Sequence, residues 1–196
     1  GSVSSSWSTA ANWTNVSGSG SLPPALTDIV QIGTTPFTNH PTISSAVSIK
    51  AISFGSVQAA TLTIGAGGSL TTTGNIGGNW TADAVHTINT GNQNLTVNGN
   101  LTLSNAVNNR SIHLSIGTGT VNITGSLIQK GNAAVIFSGA GALNIGTDFN
   151  YTSGTFSAGT GTLTYNGTTD QIVAGVSYNH LSINKTSGVA TLNSSL

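Results

Sequence analysis

Any catalytic or metal chemistry in this chain must come from four Asp, four His and its abundant hydroxyls, because it has neither Cys nor Glu. The carboxylates are Asp28, Asp83, Asp148 and Asp170. General acid–base hydrolysis or calcium binding needs carboxylates that converge. No two of these four are near neighbours in sequence, and only Asp148 and Asp170 are spaced so that stacking would bring them together. Turn formation accounts for dispersed Asp equally well. His40, His86, His113 and His180 are scattered too. His86 and His113 fall in corresponding segments where they would stack, yet no carboxylate stands close by to orient them as metal ligands. A G-x-S-x-G nucleophile elbow is absent. Gly65-Ala66-Gly67-Gly68 precedes a strand-like run rather than a Lys-Ser/Thr helix start, which argues against a phosphate cradle. We therefore expect no catalytic residue, no metal site and no cofactor.

The elements around these residues follow one short pattern: apolar, Thr/Ser/Asn, apolar, then a polar residue or Gly. It recurs as Leu62-Thr63-Ile64, Leu95-Thr96-Val97, Val121-Asn122-Ile123, Leu143-Asn144-Ile145, Leu163-Thr164-Tyr165 and Leu181-Ser182-Ile183, stepping by 33, 26, 22, 20 and 18 residues. A second set reads Ser69-Leu70-Thr71-Thr72, Asn100-Leu101-Thr102-Leu103, Ser126-Leu127-Ile128-Gln129 and Phe149-Asn150-Tyr151. A third includes His86–Asn89, Ile112–Ile116 and Val135–Phe137. Glycines mark the corners, as in Gly117-Thr118-Gly119 and Gly139-Ala140-Gly141. Side chains of a strand alternate faces, so Leu62/Ile64, Leu95/Val97 and their counterparts would stack about 4.8 Å apart into apolar columns. The expected fold is all-β: a right-handed parallel β-helix, or β-solenoid, with about three short strands per coil. An antiparallel sandwich would alternate too, but it gives no reason for one pattern to recur at coil-like intervals.

The outward positions of the first pattern form a candidate binding face of Thr61, Thr63, Asn94, Thr96, Thr120, Asn122, Thr162 and Thr164. A flat, uncharged Thr/Asn array would order water, as in ice binding, or stack on glycans. Thr is also simply a good exposed strand residue. The same alternation generates the frequent N-x-Thr sequences, among them Asn94, Asn100 and Asn122.

Residues 1–46 read as a Trp/Pro-rich N-terminal cap and 47–196 as solenoid coils. All four prolines lie in the first segment with Trp7 and Trp13, which would cover the open core. The other end has no comparable cap. There Val189 and Leu192 belong to a further strand pattern, so the natural chain is expected to continue or to meet another molecule. A start at Gly1-Ser2 reads as a processed or excised piece.

Composition removes other classes. Only 4% of residues are charged and the net charge is zero, against about 25% charged in an average soluble domain. Four scattered cations cannot supply a nucleic-acid-binding field. Charge-laced coiled coils and charge-driven disorder are excluded too, and there is no apolar run long enough for a membrane helix.

Trp7-Ser8-Thr9-Ala10-Ala11-Asn12-Trp13, then Leu22-Pro23-Pro24, then Asp28-Ile29-Val30-Gln31-Ile32, resembles the opening of repeat-rich bacterial surface proteins. These are adhesin-like and autotransporter-passenger-like solenoids, often exported by the type IX route. Tyr178–Gly188 resembles a phrase common in the same proteins. The resemblance implies a secreted parallel solenoid at or beyond the cell surface and transfers no catalytic residue. The expected role is a non-catalytic stalk, adhesin segment or filament subunit able to stack end to end. Its partners would be copies of itself, further repeats of its parent chain, or surface glycans, with neither nucleic acid nor membrane insertion. A glycan- or ice-binding module is the alternative, and a polysaccharide-degrading enzyme a further one.

Overall fold

The computed structural model describes residues 1–17, 20 and 22–193. Three stacked parallel sheets wind into a β-solenoid of about seven turns. The first sheet contains Ile29–Ile32, Ala51–Phe54, Ile76–Gly78, Leu101–Thr102, Leu127–Gln129 and Phe149–Tyr151. Thr42–Ile43, Thr61–Ile64, Ala84–Gly91, Arg110–Ile116, Ala134–Phe137 and Thr155–Ser157 make the second. The third contains Ala46–Ile49, Ser69–Thr72, Asn94–Val97, Thr120–Ile123, Ala142–Ile145, Thr162–Tyr165 and His180–Ile183. Gln171–Val173 pairs separately with Ala190–Leu192.

Alternation drives this arrangement. On the third sheet Val47, Leu70, Leu95, Val121, Leu143, Leu163 and Leu181 occupy one register position. From Leu70 to Leu163 they are fully buried. On the second sheet Leu62, Ile88, Leu114, Val135 and Phe156 form another inward column. On the first, Ile76, Leu101, Leu127 and Phe149 do so. Each coil closes its own cross-section, and its backbone N–H and C=O groups bond to the coils on either side. Order therefore comes from apolar columns and ladder hydrogen bonds, with little need for surface charge.

One assignment differs from the sequence expectation. Leu62-Thr63-Ile64 lies on the second sheet, paired with Thr42–Ile43 and with the strand carrying Ile88. Leu70-Thr71 takes the expected place beside Leu95-Thr96. Both runs alternate in the same way, so periodicity alone does not say which corner a run follows. With Leu70 in place, the third-sheet column steps by 23, 25, 26, 22, 20 and 18 residues from Val47 to Leu181. The 33-residue interval disappears, and the longest steps coincide with the longest second-sheet strands, Ala84–Gly91 and Arg110–Ile116.

Tight corners depend on glycine. A Cβ on Gly119 would sit inside the van der Waals envelope of the Gln93 backbone in the coil before it, so only Gly lets the two corners stack at rung spacing.

Strand pairing begins at Ile29, within the Trp/Pro-rich segment. Ahead of it Trp7 is buried against the core, and its ring meets that of Trp13 at 4.6 Å. The Trp13 Nε1 donates to the Trp7 carbonyl at 2.7 Å. The Trp7 N–H donates to the Thr42 carbonyl, and the Thr42 N–H to the Ser5 carbonyl. The two indoles thus lie over the first coil while Ser5–Trp7 covers the edge of the second sheet. At the far end Leu181, Ile183, Val189 and Leu192 are 44–63% exposed.

Candidate functional site

The most regular surface is the outer face of the third sheet. Ser69, Asn94, Thr120, Ala142, Thr162 and His180 form one outward column. Ser48, Thr71, Thr96, Asn122, Asn144, Thr164 and Ser182 form the other. Of the eight residues expected to make a face, Asn94, Thr96, Thr120, Asn122, Thr162 and Thr164 share it. Thr61 and Thr63 do not: they point outward from the second sheet, beside Thr87 and Asn89. Ser69 and Thr71 stand where the sequence reading placed them. Within the second column the Asn144 amide donates to Asn122 Oδ1 at 2.7 Å, so neighbouring rungs are linked through side chains as well as backbone.

The four carboxylates each hold structure in place. Asp148 Oδ1 accepts from the Ile172 N–H, and Asp170 Oδ1 from the Val189 N–H, both at 2.8 Å. Each side chain thus bonds a backbone amide further along the chain. Asp28 Oδ2 accepts from the Ala25 N–H at 2.7 Å. Asp83 pairs with Arg110 at 3.0 Å.

The histidines separate. His86 aligns with Ile112, whereas His113 aligns with Thr87, so the two rings do not stack. His86 faces inward, with its ring 4.8 Å from that of Phe54 and its Nδ1 accepting the Ala60 N–H at 3.1 Å. Burial lowers its pKa, partly offset by a hydrogen bond to the Gly55 backbone. Among the described residues no three His, Asp, Glu or Cys side chains gather as a metal set.

Several residues with structural roles escaped the sequence reading. Asn75 Oδ1 accepts the Asn100 N–H, and Asn100 Oδ1 the Ser126 N–H, both at 2.8 Å. These stacked positions immediately precede first-sheet strands, and the recurring Gly-Asn at 74–75 and 99–100 was the available signal. Gln171 is buried, with its Oε1 accepting from the Gly167 N–H and from Lys185 Nζ. Lys185 also donates to the carbonyls of Gly167 and Thr169. A buried Gln holding a Lys has no local sequence signature.

Among the described residues no helix is long and apolar enough to cross a membrane. Comparisons of the chain with protein-family models, with curated proteins and with solved structures gave no match.

Proposed function

We propose that the protein is a non-catalytic extracellular scaffold, a stalk, adhesin segment or filament subunit of a bacterial surface, whose last described coils are covered by another layer, from further repeats of its parent chain or from a second copy stacked end to end. The observation carrying this reading is the exposed apolar cross-section of the last coils. Leu181 and Ile183 continue core columns that are buried in the coils before them, yet both are nearly half exposed. Among the described residues no strand pairs with the outer edge of His180–Ile183 or of Ala190–Leu192. Apolar ends with free strand edges favour addition of another strand layer, and a contact that does not close on itself propagates. The structural work done by all four carboxylates supports the non-catalytic part of the reading. The resemblance of the opening to surface solenoids supports its location.

Sedimentation velocity across a concentration series, with electron microscopy of the same samples, tests the proposal. Concentration-dependent association that Leu181→Lys abolishes is expected. A monomer at every concentration, or association unaffected by Leu181→Lys, overturns stacking between copies.

The register of the third-sheet face supports a second reading, a module that binds glycans or ice through Asn94, Thr96, Thr120, Asn122, Thr162 and Thr164. Saturable glycan binding or thermal hysteresis, lost on Thr96→Tyr with Thr164→Tyr, is its expected outcome. Neither activity in the unaltered protein would exclude it.

A further inference from the structure

The first sheet begins in a recess. Among the described residues a cavity of about 790 Å³ opens along Ile29–Ile32, with Trp13, Val16 and Phe37 among its walls. No strand pairs with Ile29–Ile32 on that side, whereas Ser6 bridges to Thr42 at the neighbouring edge of the second sheet. Alternate residues of a parallel ladder turn their N–H and C=O groups to opposite sides. The Ile32 carbonyl accepts from the Gly55 N–H of the next coil, so Ile29 and Gln31 turn theirs into the cavity.

The other end of the same side protrudes. Gln171–Val173 follows Thr162–Tyr165 as Phe149–Tyr151 follows Ala142–Ile145, and the Ile172 N–H bonds Asp148 of the coil before. The two-stranded pair therefore continues the side of the first sheet. Six strands plus two stand there, against seven in the third sheet and six in the second, so Ala190–Leu192 lies one rung beyond the rest. The Val189 carbonyl accepts from the Gln171 N–H, and the Asn193 N–H donates to the Val173 carbonyl. By alternation Ala190 and Leu192 turn their backbone groups to the outer edge.

The two edges match. The ladders at both ends are parallel, so a second copy translated along the axis meets this edge in the right polarity. Placing Ala190 beside Val30 and Leu192 beside Ile32 keeps inward side chains on the core side, and a slip of one residue would turn Leu192 outward. In that register the Gln31 N–H donates to the Ala190 carbonyl and the Leu192 N–H to the Gln31 carbonyl. Val189 meets Ile29 on the outer face. Ile29, Val189 and Leu192 are 57%, 62% and 63% exposed in the single chain, so pairing hides apolar surface from both copies. Charged side chains are a common guard against edge pairing, and neither 29–32 nor 189–192 contains one.

We propose that Ala190–Leu192 of one copy inserts into the recess of the next and adds a parallel strand to its Ile29–Ile32. This rests on the end-to-end stacking of copies proposed above and supplies the acceptor for it.

Disulfide trapping together with sedimentation velocity tests it. Gln31→Cys and Thr191→Cys, prepared separately, are mixed in a glutathione redox buffer. Facing positions on adjacent rungs lie within the Cα span that a disulfide bridges. The mixed disulfide should form in preference to either same-variant dimer, and a chain carrying both substitutions should give a ladder of covalent multimers. Gln31→Cys mixed with Ser182→Cys, on the third sheet, should give no such preference. Gln31→Pro removes an N–H that faces the cavity, where an edge strand tolerates Pro, and should weaken association roughly tenfold or more. Association unaffected by Gln31→Pro, or no preference for the mixed disulfide in protein that associates, overturns this acceptor and leaves stacking between copies standing. A monomer at every concentration overturns both.

Discussion

Asn122 and Asn144 occupy neighbouring rungs of one outward column, with the Asn144 amide donating to Asn122 Oδ1 at 2.7 Å. Replacing both with Asp sets two carboxylates one rung apart, about 4.8 Å. At that distance the repulsion is about 0.9 kcal/mol in water and about 3.5 kcal/mol at an effective dielectric of 20. Both positions are half-buried, so the expected coupling lies between these limits, about 1–3 kcal/mol destabilising. Asn122→Asp alone keeps the acceptor and makes the bond charge-assisted, so it should be near neutral. Asn144→Asp alone reverses the bond, with the Asn122 amide rotating to donate. Urea unfolding of the four proteins gives the coupling as the double-variant effect minus the two single effects. Repulsion raises the folded-state pKa of the pair above the unfolded value of about 3.9. The penalty is therefore full above the raised pKa, fades as pH falls through it, and is gone below the unfolded one. A coupling at neutral pH that largely vanishes near pH 3, and shrinks in high salt, is expected. A coupling below about 0.5 kcal/mol at neutral pH, within ordinary additivity, would refute the adjacency argument, as would one unchanged by acid.

Two further outcomes follow from the interior. Leu143 is fully buried between Val121 and Leu163. Leu143→Ala should cost about 2–5 kcal/mol in urea unfolding, whereas Thr164→Ala on the outer face should change stability by less than about 1 kcal/mol. His86 is held neutral, with its pKa below the ordinary value of 6.5. The unfolded state then binds the extra proton, so the stability contributed by neutral His86 is full above about pH 6.5 and is lost progressively as pH falls below it. His86→Phe should flatten that part of the stability-versus-pH curve, even though it leaves the Ala60 N–H without its acceptor.

The three-strand coil and its apolar columns were legible because alternation is local: Leu95, Val121, Leu143, Leu163 and Leu181 each announce an inward position by their neighbours alone. The corner a run follows was not. Leu62 and Leu70 sit in near-identical contexts, and only the closing of a whole coil tells them apart. The candidate face was therefore read as four rungs, one of them, Thr61 and Thr63, on the wrong sheet. Trp80 was missed for a different reason. Its ring packs into the space left by Gly78 and its carbonyl accepts from Arg110 one coil later, a conjunction that arises only when rungs stack. Distant partners explain the silence on Gln171 and Lys185 as well.

The scarcity of charge takes its meaning from the same geometry. An outward column repeats one position every rung, so a charge repeated there would repel itself along the column. Thr, Ser and Asn stack without that cost, and Asn adds the side-chain bonds seen at Asn75, Asn100 and Asn144. The few charges that remain are placed individually, as at Asp83–Arg110 and Lys185.

A distance ladder tests the stacking most directly, and the absence of native cysteine makes it clean. One nitroxide would be fixed at Ser48→Cys and the second moved along the same column to Asn122→Cys, Asn144→Cys, Thr164→Cys and Ser182→Cys. Pulsed dipolar spectroscopy should give separations that climb evenly by one rung per variant, about 14, 19, 24 and 29 Å between backbones. Separations that rise unevenly, or that fall as the second label moves toward Ser182, would contradict a solenoid with one coil per rung.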